Sequence, residues 1–163
     1  MTFIEHANTW VKNEVLQGRI MVGIGVLVLW TFIVIVKSQN EFFRGSLIPL
    51  GLLLFVLLGY GSYILYSRPA HVKESIELYQ KSEKEAVAQE EIKHINDNKA
   101  GKTLMKIYPI LAIISLATLF FGFAPYYKGM ALGFSLLFIS FYIVDNGFVS
   151  RSDLFLAFLA TLK

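Results

Sequence analysis

Residues 45–67 read GSLIPLGLLLFVLLGYGSYILYS, 23 uncharged positions between Arg44 and Arg68. Crossing about 30 Å of hydrocarbon at 1.5 Å per residue takes about 20 apolar residues, so this stretch is long enough to span. Its apolar character runs all round the helix, which fits lipid better than a water-soluble bundle. Three further charge-free intervals surround it. Residues 20–36 give 17 positions, 107–127 give 21 and 129–144 give 16. The first fits if Arg19 and Lys37 carry their charged heads out to the interface. The last fits if it continues through Asp145 towards Ser150.

Composition agrees. Of 163 residues, 55% are hydrophobic and 17% charged, against about 25% charged in an ordinary soluble domain. A soluble domain of this size has no interior large enough for that apolar surface. With no cysteine, thiol catalysis, Cys-ligated zinc, iron–sulfur clusters and disulfides are excluded. The expected fold is an all-α, integral membrane four-helix bundle of two transmembrane hairpins with a cytoplasmic helical linker. Residues 1–19 form an N-terminal interfacial amphipathic helix. Hairpin 1 covers 20–67 (spans 20–37 and 45–67), the charged linker 68–105, and hairpin 2 covers 106–150 (spans 106–124 and 129–148). An amphipathic tail, 151–163, follows.

Lysine and arginine set the direction. Twelve lie in the N-terminal arm, the linker and the C-terminal end, and only Lys37, Arg44 and Lys128 lie in the two short loops. Both termini and the 68–105 loop are therefore expected in the cytoplasm, in the pattern of a bacterial inner-membrane protein. The polar, mixed-charge first 19 residues lack a cleavable-signal pattern, so the first span reads as a retained anchor. Phe42, Phe43, Tyr126 and Tyr127 mark the outer interface, and Tyr63, Tyr66 and Tyr108 the inner one.

The two hairpins invite comparison with each other. Gly18-Arg19 precedes the first span and Gly101-Lys102 the third, 83 residues later. Phe42-Phe43-Arg44-Gly45 and Tyr126-Tyr127-Lys128-Gly129 are 84 apart, and Arg68 and Arg151 are 83 apart. One reading is a parallel tandem repeat. The other is that any two hairpins share basic flanks and belt aromatics.

Outside the spans, Thr2 and Glu5 have capping-box spacing. Phe3, Ile4, Ala7, Val11 and Val15 share a face, with Trp10 beside it. That helix rests either in the headgroup plane or on the linker. In the linker, Lys73, Glu77, Lys81 and Glu85 alternate in sign every four residues. Val72, Ile76, Tyr79, Ala86 and Val87 make a thin apolar stripe, a candidate face for a partner or a second copy. Asn96-Asp97-Asn98 is expected to break the helix, and Pro49, Pro69 and Pro109 to sit near first-turn positions. The linker's mixed charge argues against nucleic acid. Leu154, Phe155, Phe158, Leu159 and Leu162 form a tail too short to span.

Chemistry is sparse. Ala100-Gly101-Lys102-Thr103 ends like a phosphate loop, but Asn96 stands where the pattern needs Gly and the context is helical. Glu91-x-x-His94, with Glu90 one turn from His94, has the spacing of a di-metal bundle, but only one copy exists. His6, His71 and His94 lie outside the spans, which removes haem between helices and any Ser–His–Asp arrangement at membrane depth. No catalytic residue, metal or cofactor is expected. Asp145, with Asn146, is the one acid near a span. It reads as a vestibule carboxylate for a cation or proton, or as an interfacial acid paired with Arg151, Lys106 or Arg68. Gly129 and Gly133, Gly59 and Gly61, and Gly23 and Gly25 are candidate packing positions, within the chain or between copies.

The function expected is a non-enzymatic accessory, regulatory or scaffold module in the bilayer, oligomeric or part of a larger membrane complex. The alternative is a homo-oligomeric small transporter or channel, since four spans alone enclose little volume.

Overall fold

The computed structural model describes residues 2–162. Among them there is no strand. Helix α1 runs Phe3–Val36, α2 Glu41–Gly45 and α3 Leu47–Leu54. A π-helical turn, Phe55–Tyr60, leads into α4, Gly61–Lys81; α5 is Glu83–Ala117 and α6 Pro125–Leu159. Four helical rods result, each long and apolar enough to cross a membrane. At 1.5 Å per residue the 34 residues of α1 reach about 51 Å, well beyond about 30 Å of hydrocarbon. Every rod therefore overshoots, and the excess gathers at one polar pole. The protein covers only 6% to 28% of the most apolar window in each rod. Leu27, Trp30, Phe55, Ile113 and Phe120 stand largely exposed, a surface that suits lipid.

The Thr2 hydroxyl accepts from the Glu5 amide at 3.3 Å, and the Glu5 carboxylate accepts from the Thr2 amide at 2.8 Å. This capping box starts α1. The arm does not stand apart from the first span. Residues 3–36 are one helix, and Phe3, Ala7 and Trp10 are buried against Val72, Val87, Phe155 and Leu159. Here the expectations change. The stripe meant for a partner, Val72, Ile76, Tyr79, Ala86 and Val87, is largely covered by the chain's own two ends. Val72, Ala86 and Val87 are buried, Tyr79 stacks on Phe3 with ring centroids 4.2 Å apart, and Ile76 is half-buried. The tail likewise continues α6 into this core. The physical reason is economy of apolar area: three amphipathic ends bury one another's stripes.

The linker is a hairpin of two helices folding back at extended Ser82. Asn96-Asp97-Asn98 does not break α5. Asn98 is buried and its side-chain amide donates to Asp153 at 2.7 Å, so it does not compete for its own backbone. Pro69 and Pro109 lie inside α4 and α5, each removing one helix hydrogen bond.

Helix α5 lies along α6 and α1 along α4, while α6 also packs on α2 and α3. Glycines permit this last contact. A Cβ on Gly129 would strike the Phe42 carbonyl, and one on Gly45 the Tyr126 carbonyl. Gly133 faces Pro49, Gly61 faces Met21 and Val22, and Gly25 faces Leu57 and Leu58. Gly23 and Gly59 have open space. The belt pairs Phe42–Phe43 and Tyr126–Tyr127 each meet edge to face, at 5.8 and 5.6 Å.

Two outcomes follow. Gly129→Ala or Gly45→Ala lowers the unfolding free energy by about 1–3 kcal/mol, because helix backbones must part; Gly23→Ala is neutral or stabilising by up to about 1 kcal/mol. Thermal unfolding in detergent reads the difference. A π turn accommodates one extra residue in a helix, so deleting Gly59 lets it relax to α geometry and keeps the fold. Deleting Leu137 from α6, which has no such turn, rotates the rest of that rod by about 100° and abolishes the fold; circular dichroism and gel filtration separate the two.

Candidate functional site

The polar pole carries a buried charge cluster that joins three of the four rods, α1, α4 and α6. On α1, the spacing Phe3, Ala7, Trp10, Glu14, Gly18 follows one helical face, and all five are buried. Glu14 is thereby carried into the protein at 1% exposure. Arg151 Nε of α6 donates to its Oε1 at 2.7 Å, and Arg68 Nε of α4 lies 3.4 Å from its Oε2. Arg151 also donates to the Gln17 side-chain oxygen, and the Gln17 amide donates to the Val144 carbonyl at 2.9 Å. The Arg68 guanidinium lies over the Trp10 ring, 5.3 Å from its centroid, where the indole quadrupole favours a cation. A buried carboxylate left alone is costly; two arginines offset part of that, and burial still holds the Glu14 carboxyl above its ordinary range.

One turn deeper sits a second cluster. Glu90 on α5 is 4% exposed. His71 Nε2 of α4 stands 3.0 Å from its Oε1, and His94 Nε2 stands 3.4 Å from its Oε2. His94 Nδ1 shares a 2.5 Å hydrogen bond with the Ser152 hydroxyl. Burial opposes ionisation of Glu90, but the hydrogen bond from His71 and the close approach of His94, with their charges, outweigh it and hold the carboxyl well below its ordinary 4.5. Further out, Asp153 accepts from Lys102 at 2.7 Å. Ser152, His94 and Glu90 line up like a nucleophile, a base and its orienting acid. Ser152, however, lies within α6, where backbone amides serve the helix. Acyl transfer would need preorganised donors for the developing oxyanion, and a mid-helix serine does not bring them.

Beside these clusters a crevice of about 930 Å³ opens between α4 and α5, floored by α1 and α6. Trp10, Glu14, Arg68, His71 and His94 form its deep end; Tyr60, Tyr63, Asp145 and Phe148 form the end nearer the spans. Tyr60 closes the π turn, whose extra residue helps set the angle at which the ring enters. The indole N–H of Trp10 and the Ser67 hydroxyl are buried without a protein partner and line this space, where water can satisfy them.

Asp145 is half-buried and lines the crevice. It makes no ion pair among the described residues: Arg151 and Arg68 face Glu14, and Lys102 faces Asp153. Its neighbour is Tyr108. Asn146 is exposed and points elsewhere, so the two do not act together. The sequence pointed to Arg68 and Arg151 only as partners for Asp145 and to Glu90 only beside His94; Glu14 and His71 were in neither set. Periodicity held the signal, since Glu14 and Glu90 fall on buried stripes. No group of three or more His, Asp and Glu among the described residues is arranged to hold a metal. Comparison with known families, curated proteins and solved structures finds no match.

Glu14→Ala leaves Arg151 and Arg68 without their shared acid and is expected to cost about 3–5 kcal/mol, the range for breaking a buried pair. For Glu90, a lowered folded pKa means its stabilisation is complete above 4.5 and is lost as pH falls through the folded value. Glu90→Gln should therefore be less stable at neutral pH and show a flatter acid limb. Urea or thermal titrations between about pH 3 and 7 read both.

Proposed function

We propose that this chain is a non-enzymatic, multi-pass membrane module, with its polar pole in the cytoplasm and its spans as a passive anchor for a regulatory or accessory crevice. The observation that carries this is where the polar groups lie. Within the apolar rods, hydroxyls are engaged by helix carbonyls: Ser135, fully buried, donates to Ala112 at 3.2 Å, and Thr118 donates to Ser115 at 2.7 Å. The first ties α6 to α5 and the second stays within its own rod; neither lines a path. The buried ion pairs among the described residues all belong to the polar pole. Coupled transport ordinarily places a charge at mid-membrane, and residues 20–36, 45–67 and 107–127 hold none. The twelve-to-three bias in Lys and Arg supports the orientation.

The hairpins are read here as parallel copies about an axis along the membrane normal. The Gly45–Tyr126 and Gly129–Phe42 contacts are reciprocal at a spacing of 84, and Gly133 meets Pro49, its own counterpart. Such reciprocity is the signature of a two-fold relation. The spacing falls back to 83 at Arg68 and Arg151, and the π turn between Gly45 and Arg68 accounts for the extra residue. The open faces at Gly23 and Gly59 leave room for a second copy or another span.

Transport by an oligomer is the competing reading, favoured by Asp145, which lines the crevice beside Tyr108 with no ion-pair partner among the described residues. Proteoliposomes decide between them. The module reading expects proton, Na⁺ and K⁺ flux equal to that of empty liposomes; flux abolished by Asp145→Asn would overturn it. Because the chain has no cysteine, Asp97→Cys and Lys128→Cys also report topology. An impermeant maleimide should reach the first only from the cytoplasmic side and the second only from outside.

A further inference from the structure

We propose that the span-side end of the crevice is a binding site for an organic ammonium ion, seated against the Tyr60 and Tyr63 rings with the Asp145 carboxylate as counter-ion. The inference rests on the module reading for its purpose, regulation by occupancy, but its chemistry stands on the geometry alone. Tyr60, the last residue of the π turn, and Tyr63 on α4 are one turn apart, with nearly parallel rings 6.1 Å apart. Asp145 and Phe148 are one turn apart on α6. Tyr60 meets Phe148 edge to face at 5.7 Å, which brings the two pairs to the same wall. Aromatic faces attract a cation through their quadrupole, most strongly where water is partly excluded. Arg151 already lies 5.2 Å from the Phe148 centroid, so the tyrosines supply the open faces.

Charge selects the sign of the ligand. Glu14, Glu74, Asp97 and Asp145 line the crevice against Arg68 and Lys93. Arg68 and Arg151 both face Glu14 and so carry one positive charge in excess; together with Lys93 it meets Glu74, Asp97 and Asp145, which leaves the acids ahead by one. An anion is therefore disfavoured. A small metal ion needs several oxygen or nitrogen ligands together, and the described residues bring no such group together. One carboxylate between ring faces suits instead a weakly hydrated, bulky cation. The crevice, about 930 Å³, is within the range of small-molecule sites. The source is either a free amine or the headgroup of a zwitterionic lipid, because this end lies where the spans begin.

The test uses the full chain in nanodiscs, with Trp30→Phe leaving Trp10 as the one indole, inside the crevice. Tetramethylammonium chloride is titrated in phosphatidylglycerol discs, with sodium chloride at equal ionic strength as the blank. A saturable change in Trp10 emission is expected. Asp145→Asn and Tyr60→Leu should each weaken it by about tenfold, while Asp145→Glu retains it. In phosphatidylcholine discs, loss of the titration identifies the lipid headgroup as occupant; an unchanged titration identifies a free ammonium. No saturable response in phosphatidylglycerol discs, or an affinity indifferent to both weakening variants, overturns the site. Ammonium binding in a protein that conducts ions overturns the module reading and leaves the site standing; a silent, non-binding protein does the reverse.

Discussion

Glu14 is a carboxylate at 1% exposure on the first helix, and the polar pole is arranged around the need to compensate it. Arg68 reaches it from α4 and Arg151 from α6. Each arginine also meets an aromatic ring, Trp10 in one case and Phe148 in the other. A buried acid with two partners on two other helices fixes how far α1 can slide or rotate against them. Rods with exposed apolar faces as long as these suit lipid, where helices have little hydrophobic drive to associate; on that reading register comes from such polar contacts and from close glycine packing at the other pole.

The glycines and the charges divide this work. Near the aromatic belt, Gly45 and Gly129 let α2 and α6 touch backbone to backbone. Near the polar pole, apolar helix ends from all four rods form one core around Phe3, Trp10, Val87, Phe155 and Leu159. Between them α4 and α5 diverge, and the crevice occupies that gap. Its deep wall is rigid because the Glu90 cluster ties α4 to α5 and, through His94 and Ser152, to α6. A rigid wall facing an open mouth is the arrangement in which a bound ligand can change how helices sit.

Much of this was legible in the chain itself. Charge-free intervals located the four rods, and Thr2 with Glu5 located the start of the first. The glycine pair at 129 and 133 was visible as small residues one turn apart, without showing what would face them. Less legible was the destination of the amphipathic ends. Val72, Ala86 and Val87 looked like a surface seeking a partner because a stripe does not say what covers it. Asn96 to Asn98 looked like a break because local propensity carries no knowledge of Asp153. Glu14 belongs to no motif, although its spacing from Phe3, Ala7 and Trp10 places it on the inner face.

By itself, then, the sequence determined what the bilayer demands: length, hydropathy and helical content follow from residue type and local periodicity. Tertiary structure alone decided which polar groups meet. Arg151 is 137 residues from the acid it serves, and Ser152 is 58 from His94. Pairing across such separations depends on helix order, rotation and depth, and those emerge only when four rods pack and their overshooting ends bury each other.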